Sequence, residues 1–198
     1  MRQEIAQLAA RYIAEDGSDY ASAKKRAVKQ LLGNQKVRGE ILPDNEEIEE
    51  EVRQYQALFF ADTQPQRLLQ LRELALKLMG MLAEFNPYLV GAVLNGTASE
   101  HSDIYLHLYT DNGKDLAIFL INKNQNFEVT EQMNKRGDLI ETYSFMYQDE
   151  GVHLMVHETD HVRSSDKHQR TNAAGLAKLI AESKEESKEE NQDNFTDH

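Results

Sequence analysis

Polar side chains that can carry chemistry alternate with apolar ones along two stretches of this chain. Between Asp103 and Tyr109, every second residue is polar or aromatic and the residues between are Ile or Leu, which is typical of a half-buried strand. Residues 152–157 repeat the alternation and place two histidines on one face. If the two strands are neighbours, four of these side chains share a surface: Asp103, His107, His153 and His157.

Such a set of imidazole nitrogens and a carboxylate suits a zinc or manganese ion. The histidines do not occur at the fixed local spacing of a metal motif, however. Histidines scattered on strands are more often hydrogen-bonded structural residues or exposed surface. Both interpretations are open, as is whether these four residues converge in space.

A short motif precedes the first of these strands. Gly96 and Thr97 are followed by Ser102 and Asp103, and the strand continues as Ile-Tyr-Leu. This order resembles the signature of the nucleotidyltransferase superfamily, in which a Gly-Ser pair opens a short helix and Ser-Asp-x-Asp begins a strand. In that family two carboxylates on the strand, with a third from a neighbouring strand, hold two divalent metal ions over a nucleoside triphosphate.

The resemblance implies a role for each matching residue. Gly96, Thr97 and Ser102 would bind the nucleotide, because backbone N–H groups and hydroxyls at a helix start accommodate phosphates. Asp103 would bind the metal and would be catalytic if activity remains. The implied cofactor is Mg²⁺ or Mn²⁺ together with a nucleotide.

Two positions depart from the signature. The second carboxylate is replaced by Tyr105, whose phenol titrates near pH ~10 and is no metal ligand at neutral pH. The position of the third carboxylate is occupied by His153. One of three metal ligands therefore remains. The chain resembles a degenerate bacterial nucleotidyltransferase that has lost catalysis and acts as a nucleotide-binding, regulatory or interaction module.

Two alternatives remain open. An active metal-dependent nucleotidyltransferase would need its missing acids from elsewhere, for example Asp111, Asp115 or Glu128, or from a partner chain. A structural interaction protein would instead use the apolar stripe of residues 68–85 to form a homodimer or to bind another protein.

Composition excludes several classes of function. The chain has 198 residues, no cysteine and a formal net charge of −12. Thiol chemistry and disulfides are excluded, and general nucleic-acid binding is not expected of so acidic a chain. No apolar run is long enough to cross a bilayer, so we expect a cytoplasmic protein that does not bind membranes.

The overall pattern predicts an α/β (α+β) fold. N-terminal helices (residues 1–62) precede a nucleotidyltransferase-like domain (63–181) with flanking helices and a mixed sheet of about five strands. Its strands are expected within 87–94, 103–109, 116–121, 127–129, 142–147 and 152–157, followed by a helix over 172–181. The last segment, 182–198, is rich in acids and is predicted to be a disordered tail or a frayed helix.

Overall fold

The computed structural model describes residues 1–134, 136–163 and 169–193, with side chains described as far as residue 190. The α-helices are α1 (Arg2–Asp16), α2 (Tyr20–Leu32), α3 (Asn45–Phe59), α4 (Gln64–Met81), α5 (Ala92–Asn95), α6 (Gly113–Asn122) and α7 (Ala173–Asp193). The strands are β1 (Pro87–Val90), β2 (Ile104–Tyr109), β3 (Glu128–Met133), β4 (Leu139–Tyr147) and β5 (Glu150–His157). The α/β class and the mixed five-strand sheet predicted from the sequence are confirmed.

The chain divides into two compact units. The first comprises Met1–Leu68 together with Gly96–Ser102, and the second comprises Leu69–Asn95 together with the chain from Asp103 onward. The sequence placed residues 96–102 in the sheet domain, since they are contiguous with β2. The structure assigns them to the helical unit.

The first unit is built on α1, α2 and α3. Alanines allow α1 and α2 to approach closely, while Ile48 and Val52 of α3 complete the core. Glycine ends α1 at Gly17, where the positive φ of 68° suits a residue without a side chain. A capping box starts α3, because Asp44 and Glu47 each accept a hydrogen bond from the other's backbone amide. At the end of α3, Phe59 is 66% exposed and does not belong to this core.

Helix α4 carries the apolar stripe that the sequence predicted. Leu71, Ala75, Leu78 and Phe85 of this stripe are all buried, although the α-helix ends at Met81 and a 3₁₀ turn (Ala83–Phe85) follows. Because these side chains are already covered within the chain, the structure gives no support to dimerisation through this stripe.

The sheet has the order β1-β2-β5-β4-β3, with β2 and β5 parallel and the other pairs antiparallel. Side chains alternate between its two sides. One side is the core, where Ile104, Leu106 and Leu108 of β2 and Val152 and Leu154 of β5 are fully buried. The other side carries most of the polar residues that the sequence analysis selected.

Two predicted strands are corrected. Residues 116–121 form most of α6, where Leu116 and Leu120 are buried four residues apart while Ile118 and Ile121 are exposed. That spacing is helical, and a short apolar run does not distinguish the two structures by itself. The apolar run from Pro87 is a strand only to Val90 and continues as α5.

The C-terminal helix is longer than predicted. Helix α7 extends from Ala173 to Asp193, so of the two states predicted for the acidic segment from residue 182, a disordered tail or a frayed helix, the helical one is found as far as Asp193. Residues 194–198 lie outside the described residues. The Lys184 ammonium forms an ion pair with Glu73 at 2.7 Å. Over the described parts of the chain, no helix combines the length and apolarity required to span a bilayer.

Candidate functional site

The side of the sheet opposite the core is called here the open face. Residues paired in register point to the same side, so the pairing assigns its members. From β1 to β4 they are Tyr88, Val90, Tyr105, His107, Tyr109, His153, Met155, His157, Thr142 and Ser144. The face carries two clusters of polar and aromatic side chains, one near each end of β2 and β5.

The first is the Asp103 cluster, formed by Asp103, Tyr105, Ser144 and His153. Nε2 of His153 lies 2.7 Å from Oδ2 of Asp103, and Nδ1 of the same ring lies 2.8 Å from Oγ of Ser144. A carboxylate only accepts hydrogen bonds, so Nε2 is the donor, and in the neutral ring Nδ1 accepts from the serine hydroxyl. Tyr105 stacks on His153 with ring centroids 4.6 Å apart. All four side chains are thereby fixed.

A glycine makes room for this arrangement. A Cβ atom on Gly151 would lie 2.4 Å from Oδ1 and 2.5 Å from Cγ of Asp103, which is closer than real Cβ contacts. Any larger residue would therefore displace the carboxylate from His153. Gly151 belongs to β5, and the turn before this strand consists of Gln148 and Asp149, which have positive φ values of 48° and 66°.

The Asp103 cluster does not have the ligands of a two-metal site. The residue at the predicted third carboxylate position, His153, is hydrogen-bonded to the only carboxylate that remains. Burial, and then the negative charge of Asp103, raise the pKa of the Tyr105 phenol above its ordinary 10.0, so Tyr105 stays protonated at neutral pH. Within the described ranges, no group of three or more His, Asp or Glu side chains is placed to hold a metal ion.

Ser144, His153 and Asp103 also follow the order of groups that activates a serine nucleophile. A nucleophilic serine, however, needs exposure to substrate and nearby N–H donors for an oxyanion. Ser144 lies inside β4, between Glu128 of β3 and His153 of β5 in the register. This position suits a structural hydrogen bond better than nucleophilic attack.

The four residues whose convergence the sequence left open form two separate pairs. Asp103 contacts His153, whereas His107 packs against His157 with ring centroids 4.5 Å apart. The second pair belongs to what we call the Arg170 cluster, which comprises Tyr88, His107, Tyr109, His157 and Arg170 on the open face.

The Arg170 cluster is built around one guanidinium. Leu89 and Thr171 exchange backbone hydrogen bonds of 2.8 and 3.1 Å, which places Arg170 beside β1. Its guanidinium lies 4.7 Å from the ring centre of Tyr88 and 5.1 Å from that of Tyr109, and it donates to the Tyr109 hydroxyl at 2.6 Å. His157 stacks on the same Tyr109 ring at 5.3 Å.

The predicted nucleotide-binding residues occupy a loop of the first unit. The carbonyl oxygen of Gly96 accepts a hydrogen bond from the Gln64 amide, and that of Thr97 accepts from Gln56. Thr97 is only 5% exposed, and Oγ of Ser102 accepts from the Ser99 amide. These contacts fix the loop, and they give no support to phosphate binding by Gly96, Thr97 or Ser102.

The glycine that opens a short helix after the first strand is Gly91, not Gly96. Its φ of 78° turns the chain at the end of β1, and α5 begins at Ala92, which has no hydroxyl to offer a phosphate. Arg72 is buried and donates to the carbonyl oxygens of Val93 and Leu94 at 2.9 and 2.8 Å. Its side chain thus satisfies carbonyl groups that so short a helix leaves unpaired.

The three acids considered as replacement metal ligands belong to other elements of the fold than Asp103. Asp111 follows β2 and its Oδ1 accepts from the Thr159 amide at 2.9 Å. Asp115 is in the first turn of α6, and Glu128 is paired with Ser144 at the start of β3. None of the three belongs to a described metal-binding group with Asp103.

Sequence reasoning missed Ser144 and Gly151 as positioning residues, and it did not identify the partners of Arg170. Ser144 had a signal, because the alternation of residues 142–147 puts it on the same side of β4 as Thr142. Gly151 and Arg170 had none that identifies their partners, since the contacts come from strand register and from the bridge at Thr171.

Comparison of the chain with protein-family models, with curated proteins and with solved structures gave no match.

Proposed function

We propose that this protein is a nucleotidyltransferase-like module that no longer transfers nucleotides and acts by binding a nucleotide, in a regulatory or interaction role. The observation that carries the loss of catalysis is the 2.7 Å contact between His153 and Asp103. Two-metal catalysis offsets the charge of a transferring phosphoryl group with paired cations. Here an imidazole occupies the place of a third carboxylate and engages the first.

The order of elements supports the relationship to nucleotidyltransferases. A strand, a glycine turn, a short helix and a second strand that directly follows Ser102-Asp103 succeed one another, as in the superfamily signature. Apart from Asp103, the matches are to the scaffold, whereas the departures fall on groups that would touch metal or phosphate. Ala92 replaces the hydroxyl, and Tyr105 and His153 replace carboxylates.

Two assays on the purified full chain test the loss of catalysis and the binding. Pyrophosphate release from each nucleoside triphosphate, with Mg²⁺ or Mn²⁺, should not exceed that of a blank. Nucleotide binding should raise the melting temperature with or without a divalent ion, because a ligand of the native state stabilises it. Metal-dependent pyrophosphate release that Asp103→Ala abolishes would contradict the proposal, and so would a flat thermal-shift screen at saturating nucleotide.

A variant that restores the missing carboxylates tests whether the Asp103 cluster derives from a metal site. Tyr105→Asp combined with His153→Asp would place three carboxylates at the start of β2 and β5. Without metal their mutual repulsion should lower the melting temperature, and Mn²⁺ should restore it. The matched control moves the same two substitutions two register pairs along, to the next pair on the open face, as His107→Asp with Met155→Asp. Equal Mn²⁺ responses from both double variants would argue against a former metal site at Asp103.

A further inference from the structure

A cleft of about 210 Å³ opens beside the Arg170 cluster, within the second unit. It has no part in the function proposed above, because Asp103 and its partners do not line it. Its charged and titratable lining residues are His107, Arg136, Asp138, His157, His161 and Arg170. We propose that this cleft binds a small molecule through an oxyanion, a phosphate or a carboxylate group.

The charge of the cleft favours an anion. Among the described residues that line the cleft, two guanidinium groups face one carboxylate, that of Asp138, and three histidines can add positive charge but no negative charge. The surplus stands out in a chain whose formal net charge is −12. Asp138 is also engaged locally, since its Oδ2 accepts from the Asn134 side-chain amide at 3.0 Å.

The guanidinium of Arg170 and the backbone that carries Arg136 are held in place before any ligand binds. Arg170 is fixed by Tyr109, by the face of Tyr88 and by the carbonyl oxygen of Val162, to which it donates. Oδ1 of Asn134 accepts from the backbone amides of Arg136 and Asp138, both at 2.9 Å, and this shapes the turn that presents Arg136. Guanidinium groups that are already ordered lose little entropy when they bind an oxyanion, and their planar fork suits its geometry.

The remaining lining residues limit the size and character of the ligand. Met155, Ile140 and the Tyr109 ring give the cleft an apolar part beside the charges. Pockets for drug-sized ligands start at about 300 Å³, so a cleft of about 210 Å³ suits a smaller molecule than a nucleoside triphosphate. A phosphate monoester or a small carboxylic acid has the right chemistry.

Calorimetric titration of the full chain with inorganic phosphate, glycerol phosphate and acetate tests this inference. We expect saturable binding of at least one of the three with a dissociation constant below about 1 mM. Tighter binding of glycerol phosphate than of inorganic phosphate would assign the site to an ester, and the reverse to free phosphate. Binding of acetate alone would assign it to a carboxylate. Absence of saturable binding of all three overturns the proposal.

Variants locate the binding. Arg136→Gln should weaken it by at least about tenfold, because the variant removes a charge-assisted hydrogen bond to the ligand. Arg163→Gln is the matched control, since it removes the same charge from an exposed residue that does not line the cleft. Equal losses in both variants would show non-specific attraction and overturn the site. Nucleotide binding that persists in Arg136→Gln would separate the cleft from the nucleotide binding proposed above.

Discussion

The two clusters of the open face lie on the same two strands and differ in how their charge is balanced. In the Asp103 cluster the carboxylate, the imidazole and the hydroxyl satisfy one another in a row across β2, β5 and β4. In the Arg170 cluster a guanidinium is held by aromatic rings and borders a cleft with surplus positive charge. The carboxylate of the first cluster is already hydrogen-bonded within that cluster, while the second cluster borders a cleft that has positive charge to offer a ligand.

This difference bears on how a degenerate site is identified. A motif points to Asp103, because family signatures describe residues close together in sequence. The residues that line the cleft come from elements far apart in sequence, including β2, β5 and Arg170 before α7. No short sequence motif therefore predicts the cleft. A search for ligand binding in this chain should therefore begin at the Arg170 cluster as well as at the motif.

The largest effect is expected from breaking the Arg170 cluster. Arg170→Gln removes the charged hydrogen bonds to Tyr109 and Val162 and the stacking on Tyr88, and it should lower the free energy of unfolding by about 2–3 kcal/mol. Urea denaturation followed by circular dichroism measures this loss. Arg170→Lys keeps the charge but not the planar fork and should recover only part of it. Full recovery by lysine would show that charge alone matters here.

A smaller effect is expected from breaking the Asp103 cluster. The methyl group of Gly151→Ala would displace the Asp103 carboxylate from His153, and we expect a loss of about 1–2 kcal/mol. The ring nitrogen chemical shifts of His153 should change in the same variant. Gly80→Ala is the control: Gly80 lies inside α4 with nothing within 4 Å of the added atom, so it should stabilise the fold by about 0.5–1 kcal/mol. Unchanged His153 shifts in Gly151→Ala would contradict the close contact.

The sequence predicted the parts of the fold that depend on local patterns. Alternation identified β2 and β5, and the three- and four-residue spacing identified the buried stripe of α4. The prediction failed where a strand and a helix can have the same residue pattern, as in the short apolar run that forms α6. It also assigned the short-helix glycine to Gly96, because position along the chain does not reveal where β1 ends.

The sequence predicted which residues share the candidate site but not which of them contact one another. Asp103, His107, His153 and His157 do share one side of the sheet. Which of them touch depends on the β2–β5 register, in which Tyr105 is opposite His153 and Tyr109 opposite His157. That register is set by packing on the buried side, so the four residues form two pairs rather than one metal set.

The smallest effect concerns a contact that supports the Arg170 cluster from outside. The Thr159 amide and hydroxyl lower the pKa of Asp111 below its ordinary 3.8, and Thr159 begins the 3₁₀ turn (Thr159–Arg163) whose Val162 carbonyl accepts from Arg170. A lowered pKa means that the folded state favours the ionised carboxylate, so its stabilisation is present above pH 3.8 and is lost as pH falls below that value. Asp111→Ala should therefore lower the melting temperature slightly and equally between about pH 5 and 7, and the difference should close below pH 3.8. Asp111→Asn keeps an acceptor for the Thr159 amide and should show a smaller loss, which should also close below pH 3.8 because only the unmodified chain titrates there. A constant difference between Asp111→Ala and the unmodified chain down to about pH 2 would show that the charge of Asp111 does not stabilise this turn.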